Sequence, residues 1–197
     1  MTRDERFRGT EHPRVFRAPS AVVGLVLGAA LAVVLLGDAA IRAGIGEMLL
    51  IAPWVLLALW GVYALLFAPH VRIDPNGIRI HNPLRVSDIA WARVSDIDMR
   101  WQLEVKTDEP RVYKAFGGPV AGRPGRPPLR RGDDDRARRE PPAIRDLQVI
   151  QDAWESARPT APKDGVVRRS WDIPSAISLL VLIVWVIIAL FISGGLR

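Results

Sequence analysis

The chain has no cysteine among its 197 residues, which excludes a disulfide framework, a thiolate zinc site and a cysteine nucleophile. Histidine is nearly as scarce. His12, His70 and His81 are too few and too scattered to suggest a histidine-based metal or acid–base centre. Lysine occurs only as Lys106, Lys114 and Lys163, so arginine carries the basic excess behind the formal net charge of +6. The most informative absence is local: Ala21–Leu36, Met48–Ala68 and Ile173–Ile192 contain no Asp, Glu, Lys, Arg or His.

A hydrocarbon core about 30 Å thick needs roughly 20 apolar helical residues to cross it. The second and third stretches meet that length. The first meets it by extending through Ala39, Ala40 and Ile41 around Asp38. A secretory signal peptide is the competing reading of the first stretch, but it calls for an apolar region of only about 7–15 residues and a small-residue cleavage site. Gly37-Asp38-Ala39-Ala40 is a poor site, and another apolar stretch follows closely. The expectation is therefore an uncleaved transmembrane hairpin over 21–68 and a third transmembrane helix over 173–193, with a soluble domain between them.

The charge distribution sets an orientation. Arg3, Arg6, Arg8, Arg14 and Arg17 precede the first stretch, and twenty Arg or Lys lie between the second and third. The short connection between the first two offers Arg42 against Asp38 and Glu47. By the positive-inside rule, residues 1–20 and the middle domain face the cytoplasm of an inner (plasma) membrane, and the C-terminal end faces outside. Residues 1–20 are read as lying along the cytoplasmic face, with Val15 and Phe16 in the interface. Gly24, Gly28 and Ala32 recur every four residues and form a small-residue stripe that suits close helix packing, within the chain or between copies. Pro53 and Gly61 are candidate kinks, and Trp54 and Trp60 are packing residues or interface anchors.

From His70 onward the pattern alternates. Val71-Arg72-Ile73, Pro75-Asn76-Gly77 and Ile78-Arg79-Ile80 read as a hairpin in which Asn76 and Gly77 both take positive φ. Trp91, Val94 and Ile97, three residues apart, read as a short helical turn buried against the sheet. Met99–Val105 and Arg111–Phe116 read as further strands, giving an antiparallel sheet or partial barrel. Gly117–Glu140, built largely of Gly, Pro and Arg, has little to bury and is expected to be disordered. Pro141-Pro142 opens an amphipathic helix with Ile144, Leu147, Ile150 or Gln151, and Trp154 on one face. Arg158–Asp172 reads as a linker.

No catalytic constellation stands out. Asp133-Asp134-Asp135 is the one carboxylate cluster, and it sits between Arg130-Arg131 and Arg136 in the flexible tract, where a solvated charge run explains it. The glycines from Gly117 onward lack the spacing of a phosphate loop. His81 has no nucleophile or second histidine beside it in sequence. The arginines carry more information. Arg72 and Arg79 on the sheet, with Arg123, Arg126, Arg130 and Arg131 in the insertion, are candidate membrane-surface contacts, because an anionic leaflet attracts each nearby cation by about 1 kcal/mol. Nucleic acid is not expected as a partner, because no aromatic stacking platform interleaves the charge.

Val71-Arg72-Ile73-Asp74, Gly77-Ile78-Arg79-Ile80-His81-Asn82 and Ile89-Ala90-Trp91-Ala92-Arg93-Val94-Ser95-Asp96-Ile97, preceded by the two-span hairpin, resemble the bacterial pleckstrin-homology (PH)-like domains of actinobacterial membrane proteins. The resemblance covers roughly residues 20–116. It implies a bent antiparallel sheet closed by a C-terminal helix, here Ala143–Ala157. The insertion and the third span depart from the simplest members, and no phosphoinositide-binding signature maps onto this sequence. The whole reading is an α+β membrane protein whose PH-like cytoplasmic domain, 69–157, is a non-enzymatic interaction module without cofactor or metal. Its expected partners are the lipid bilayer with its anionic headgroups and a protein of unknown identity. The alternative is an accessory subunit or assembly factor of a larger membrane complex.

Overall fold

The structure, a computed structural model, describes residues 14–16, 20–118, 142–162 and 164–195, and they fall into two compact units. One is a β-rich module of residues 14–16, 69–82, 86–118, 142–162 and 164–170; the other is a helical unit of residues 20–68, 83–85 and 171–195. The architecture is mixed α+β with antiparallel sheets and two long apolar helical runs.

In the β module, β1 (Arg14–Phe16), β2 (His70–Asp74), β3 (Gly77–Asn82), β4 (Arg85–Ala90) and, far later in sequence, β8 (Val167–Trp171) form a five-stranded sheet in the order β1-β2-β3-β4-β8. A turn at Trp91–Arg93 leads into a second sheet of β5 (Val94–Met99), β6 (Leu103–Thr107) and β7 (Val112–Lys114). The described strands thus make two sheets; no ladder joins them into the partial barrel that the alternation suggested.

The β2–β3 hairpin keeps the anticipated register, pairing Val71 with Ile80 and Ile73 with Ile78. Its turn differs. Among the described residues positive φ occurs at Gly44, Leu84 and Gly118, so neither Asn76 nor Gly77 adopts it. The loop residues are Pro75 and Asn76, and Asp74 Oδ1 accepts the backbone N–H of Asn76 at 2.9 Å and of Gly77 at 3.0 Å. Proline fixes φ at a negative value, and the order Asp-Pro-x-Gly suits a type I turn. Glycine is required at 77 for space: a Cβ there would stand 2.3 Å from the carbonyl oxygen of Ile89.

Trp91, Val94 and Ile97 are all buried in one core with Val71, Ile78, Ile80, Ile89, Leu103 and Val105. Their three-residue spacing has a cause other than a helix. Only Trp91 lies in the short turn; Val94 and Ile97 are in β5, where the pairing with β6 slips between Val94 and Asp96. The extra residue of this β-bulge puts both apolar side chains on the inner face. Trp91 also fixes the β2–β3 turn, its Nε1–H donating to Asp74 O at 2.9 Å and its backbone N–H to Asn76 O at 3.1 Å.

Other expectations are corrected. Met99–Val105 is not one strand, because Arg100–Gln102 turn the chain between β5 and β6. Val15 and Phe16 lie in β1, paired with Arg72 and Val71, and Phe16 packs on the core. Arg158–Asp172 is not wholly a linker, since it contains β8. Gly117 and Gly118, assigned to the insertion, are buried in the β module. The amphipathic helix is α2 (Pro142–Ala157): Ile150 is fully buried, Leu147 and Trp154 pack around it, and Ile144 is exposed. Gln151 Nε2 donates to Ile97 O at 2.9 Å, seating the helix on β5.

In the helical unit, α1 (Ser20–Val62) continues into a π-helical turn, Tyr63–Phe67. One residue inside α1 departs from helical geometry: Gly44, at φ 86° and ψ 170°, a left-handed backbone that glycine tolerates. The chain reverses there. A Cβ on Gly28 would meet Leu59 Cδ1 at 3.2 Å, whereas an unbroken helix would hold these residues more than about 40 Å apart. Pro53 is buried and keeps helical dihedrals. α3 (Ile173–Gly195) packs beside α1, and Trp60 Nε1–H donates to Ser178 Oγ at 2.9 Å. By length and apolarity two runs can cross a membrane, Ala21–Phe67 and Ile173–Gly194, in place of the three separate helices expected.

Candidate membrane-surface interface

In β2 and β3 the core residues alternate with polar ones, so Arg72 and Arg79 share the outer face and stand directly opposite each other in the ladder. Like charges facing across a strand pair repel, and their surroundings show how the repulsion is reduced. The two-residue connection Pro83-Leu84 returns the chain so that Asp88 forms an ion pair and hydrogen bond with Arg79. The Asp88 hydrogen bond raises the Arg79 pKa above its ordinary value, outweighing some desolvation. Arg72 is half-buried, and its Nε has no hydrogen-bond partner among the described residues. At the end of the same strand pair the rings of His70 and His81 face each other at 4.8 Å. The Arg79 charge is therefore compensated by Asp88, whereas among the described residues no carboxylate pairs with Arg72.

The second sheet neutralises its cations in the same way. Lys106 and Asp96 are ladder partners whose side chains meet at 2.8 Å, and Lys114 and Glu104 meet at 3.2 Å. Arg93 reaches Asp108 at 2.8 Å and Glu109 at 3.0 Å. Carboxylate hydrogen bonds raise the pKa of Arg93, chiefly from Asp108, and of Lys106, chiefly from Asp96.

Among the described residues Arg72, Arg100 and Arg111 meet no carboxylate, and neither do the arginines where β8 runs into α3. Arg168, Arg169 and Ser170 are exposed, Trp171 is 59% exposed, and α3 begins two residues later. The guanidinium of Arg85 stacks over the Trp171 ring at 4.3 Å, and among the described residues no carboxylate pairs with it. Leu84, in left-handed backbone at φ 61°, accepts the N–H of Asp172 at 3.0 Å. Asp172 Oδ2 in turn accepts the hydroxyl of Ser175 at 2.5 Å.

Of the candidate contacts read from sequence, Arg72 and Arg79 are brought together; Arg123, Arg126, Arg130 and Arg131, like Asp133–Asp135, lie outside the described residues. Trp91, Val94 and Ile97 converge in the core, and within the small-residue stripe Gly28 faces Leu59, Ala32 is buried, and Gly24 has open space where a Cβ would be. Sequence reasoning missed Arg168, Arg169 and Trp171, having read them as linker. The available signal was an Arg-Arg-Ser-Trp run abutting an apolar stretch. No group of three or more metal-ligating side chains occurs among the described residues. No protein-family model, curated protein or solved structure matches this chain.

Proposed function

We propose that this protein is a membrane-anchored, non-enzymatic interaction module: three membrane crossings holding a PH-like domain at the cytoplasmic face, where it scaffolds a protein partner or contacts the anionic inner leaflet. The observation that carries the reading is the exposure of the helical unit. Ile41 is 86% and Phe191 78% exposed, and apolar side chains between them in both helical runs are open on most sides. Water would penalise that surface heavily, and lipid would not. The reversal at Gly44 supports counting Ala21–Phe67 as two crossings. Two antiparallel sheets with a helix after β7 are compatible with the PH-like reading, and β8 joins the first sheet after that helix as an addition.

The absence of native cysteine makes topology directly testable. Single cysteines replace Gly46, Arg111 or Gly194 in the full-length protein, and sealed spheroplasts are treated with a membrane-impermeant maleimide. Labelling is expected at Gly46→Cys and Gly194→Cys at once, and at Arg111→Cys after permeabilisation only. Labelling of Arg111→Cys in sealed spheroplasts, or recovery of the chain as soluble material without detergent, would overturn the reading.

A further inference from the structure

We infer that β8, at Arg168 and Arg169, is a binding surface for anionic phospholipid headgroups. The inference rests on α3 lying in a bilayer, and it adds Arg168 and Arg169 to the candidate contacts read from sequence. Three observations converge. First, covalent geometry fixes proximity: Arg169 precedes Ile173 by four residues, so it lies within about 14 Å of the first residue of the span. Second, the charges are available. Arg79, Arg93, Lys106 and Lys114 each meet a carboxylate, whereas among the described residues none pairs with Arg168 or Arg169. Arg72, Arg100 and Arg111 are equally unpaired, and it is exposure combined with the short reach to the span that sets Arg168 and Arg169 apart. Third, Trp171 is exposed at the position where an amphipathic ring is suited to the headgroup level, and it holds the Arg85 guanidinium on its face.

The strand itself supplies a reporter. β8 is an edge strand, with β4 on one side and no strand on the other among the described residues, so its outward amides exchange with solvent unless something covers them. The test is hydrogen exchange over residues 167–171 in the full-length protein, reconstituted in nanodiscs of either zwitterionic lipid or zwitterionic lipid with one-third phosphatidylglycerol. Exchange is expected to be on the order of tenfold slower in the anionic discs, given the attraction of each arginine for such a surface. High salt should remove the difference. The R168Q/R169Q variant should also lose it, R168K/R169K should keep it, and R100Q/R111Q, which removes the same charge elsewhere on the module, should leave it intact. Equal exchange in the two lipids, or an equal loss in R100Q/R111Q, overturns the inference while the protein stays in the disc. Release of the protein from the disc by alkaline carbonate overturns the membrane reading as well.

Discussion

The two units of this protein place the same kinds of residue in opposite ways. In the β module Val71, Ile78, Ile80, Ile89 and Trp91 are closed off from solvent around one core. In the helical unit Val33, Leu31, Ile41 and Ile187 point outward, and the buried residues are mostly small, Ala32, Ala52, Ala64 and Ala189 among them, with Pro53 and Val186. On the membrane reading proposed above, the inversion follows from the solvent. In water, large apolar side chains are driven inside and packing is won by volume; in lipid they have no reason to hide, and helices associate where small side chains let backbones approach. Exposure has opposite energetic meaning in the two halves.

The largest test of that contrast removes the main aromatic of the water-facing core. Trp91→Ala should cost the β module about 3–5 kcal/mol, more than any single truncation on the helical surface, because the change also strands Asp74 O and loosens the β2–β3 turn. Thermal unfolding of the full-length protein in detergent micelles measures it, and an unchanged midpoint would refute the core assignment. Next comes a matched pair. Val184 near the middle of α3 and Val112 on β7 are almost equally exposed, at 46% and 48%. Val184→Arg should oppose membrane integration by about 2.5–3.5 kcal/mol, seen as loss of the protein from the membrane fraction, whereas Val112→Arg should shift unfolding by less than about 0.5 kcal/mol. Equal behaviour of the two would break the comparison.

A smaller effect separates two glycines of one stripe. Gly28→Leu must displace Leu59 and should destabilise the helical unit by about 1–3 kcal/mol, whereas Gly24→Leu enters open space and should be neutral; unfolding by titrated dodecyl sulfate compares them. The smallest concerns Lys106. Its pKa lies above a lysine's ordinary 10.5 because Asp96 hydrogen-bonds it. A group whose folded pKa is raised adds stability that is complete below the unfolded value and is lost as pH rises through the folded one. Lys106→Met should therefore lower the unfolding midpoint slightly at neutral pH, and the gap from the parent protein should close above about pH 10.5. A gap that widens with pH would show the sign to be wrong.

The parts of this fold legible in the sequence are those specified by near neighbours. Charge-free stretches mark the apolar helices, alternation marks β2 and β3 in their correct register, and the 3.6-residue period marks α2, because each pattern is completed within a few turns or a few strand steps. The missed parts depend on distant partners. Arg14–Phe16 and Val167–Trp171 are short, arginine-rich segments with weak strand character of their own, and each becomes a strand because a sheet edge, β2 or β4, offers it a ladder. The bulge at Ser95 was invisible for a related reason: slippage belongs to a strand pair, and a three-residue spacing in one chain segment reads equally as a turn of helix.

Composition and local periodicity alone determined that this chain carries long apolar helices, a charged β-rich middle and no cysteine chemistry. They could do so because hydropathy and strand alternation are properties of residues near one another in sequence. Only the tertiary structure decided which arginines remain available. That depends on whether a carboxylate from another strand reaches the guanidinium, as Asp88 reaches Arg79, or whether only an aromatic ring does, as Trp171 meets Arg85.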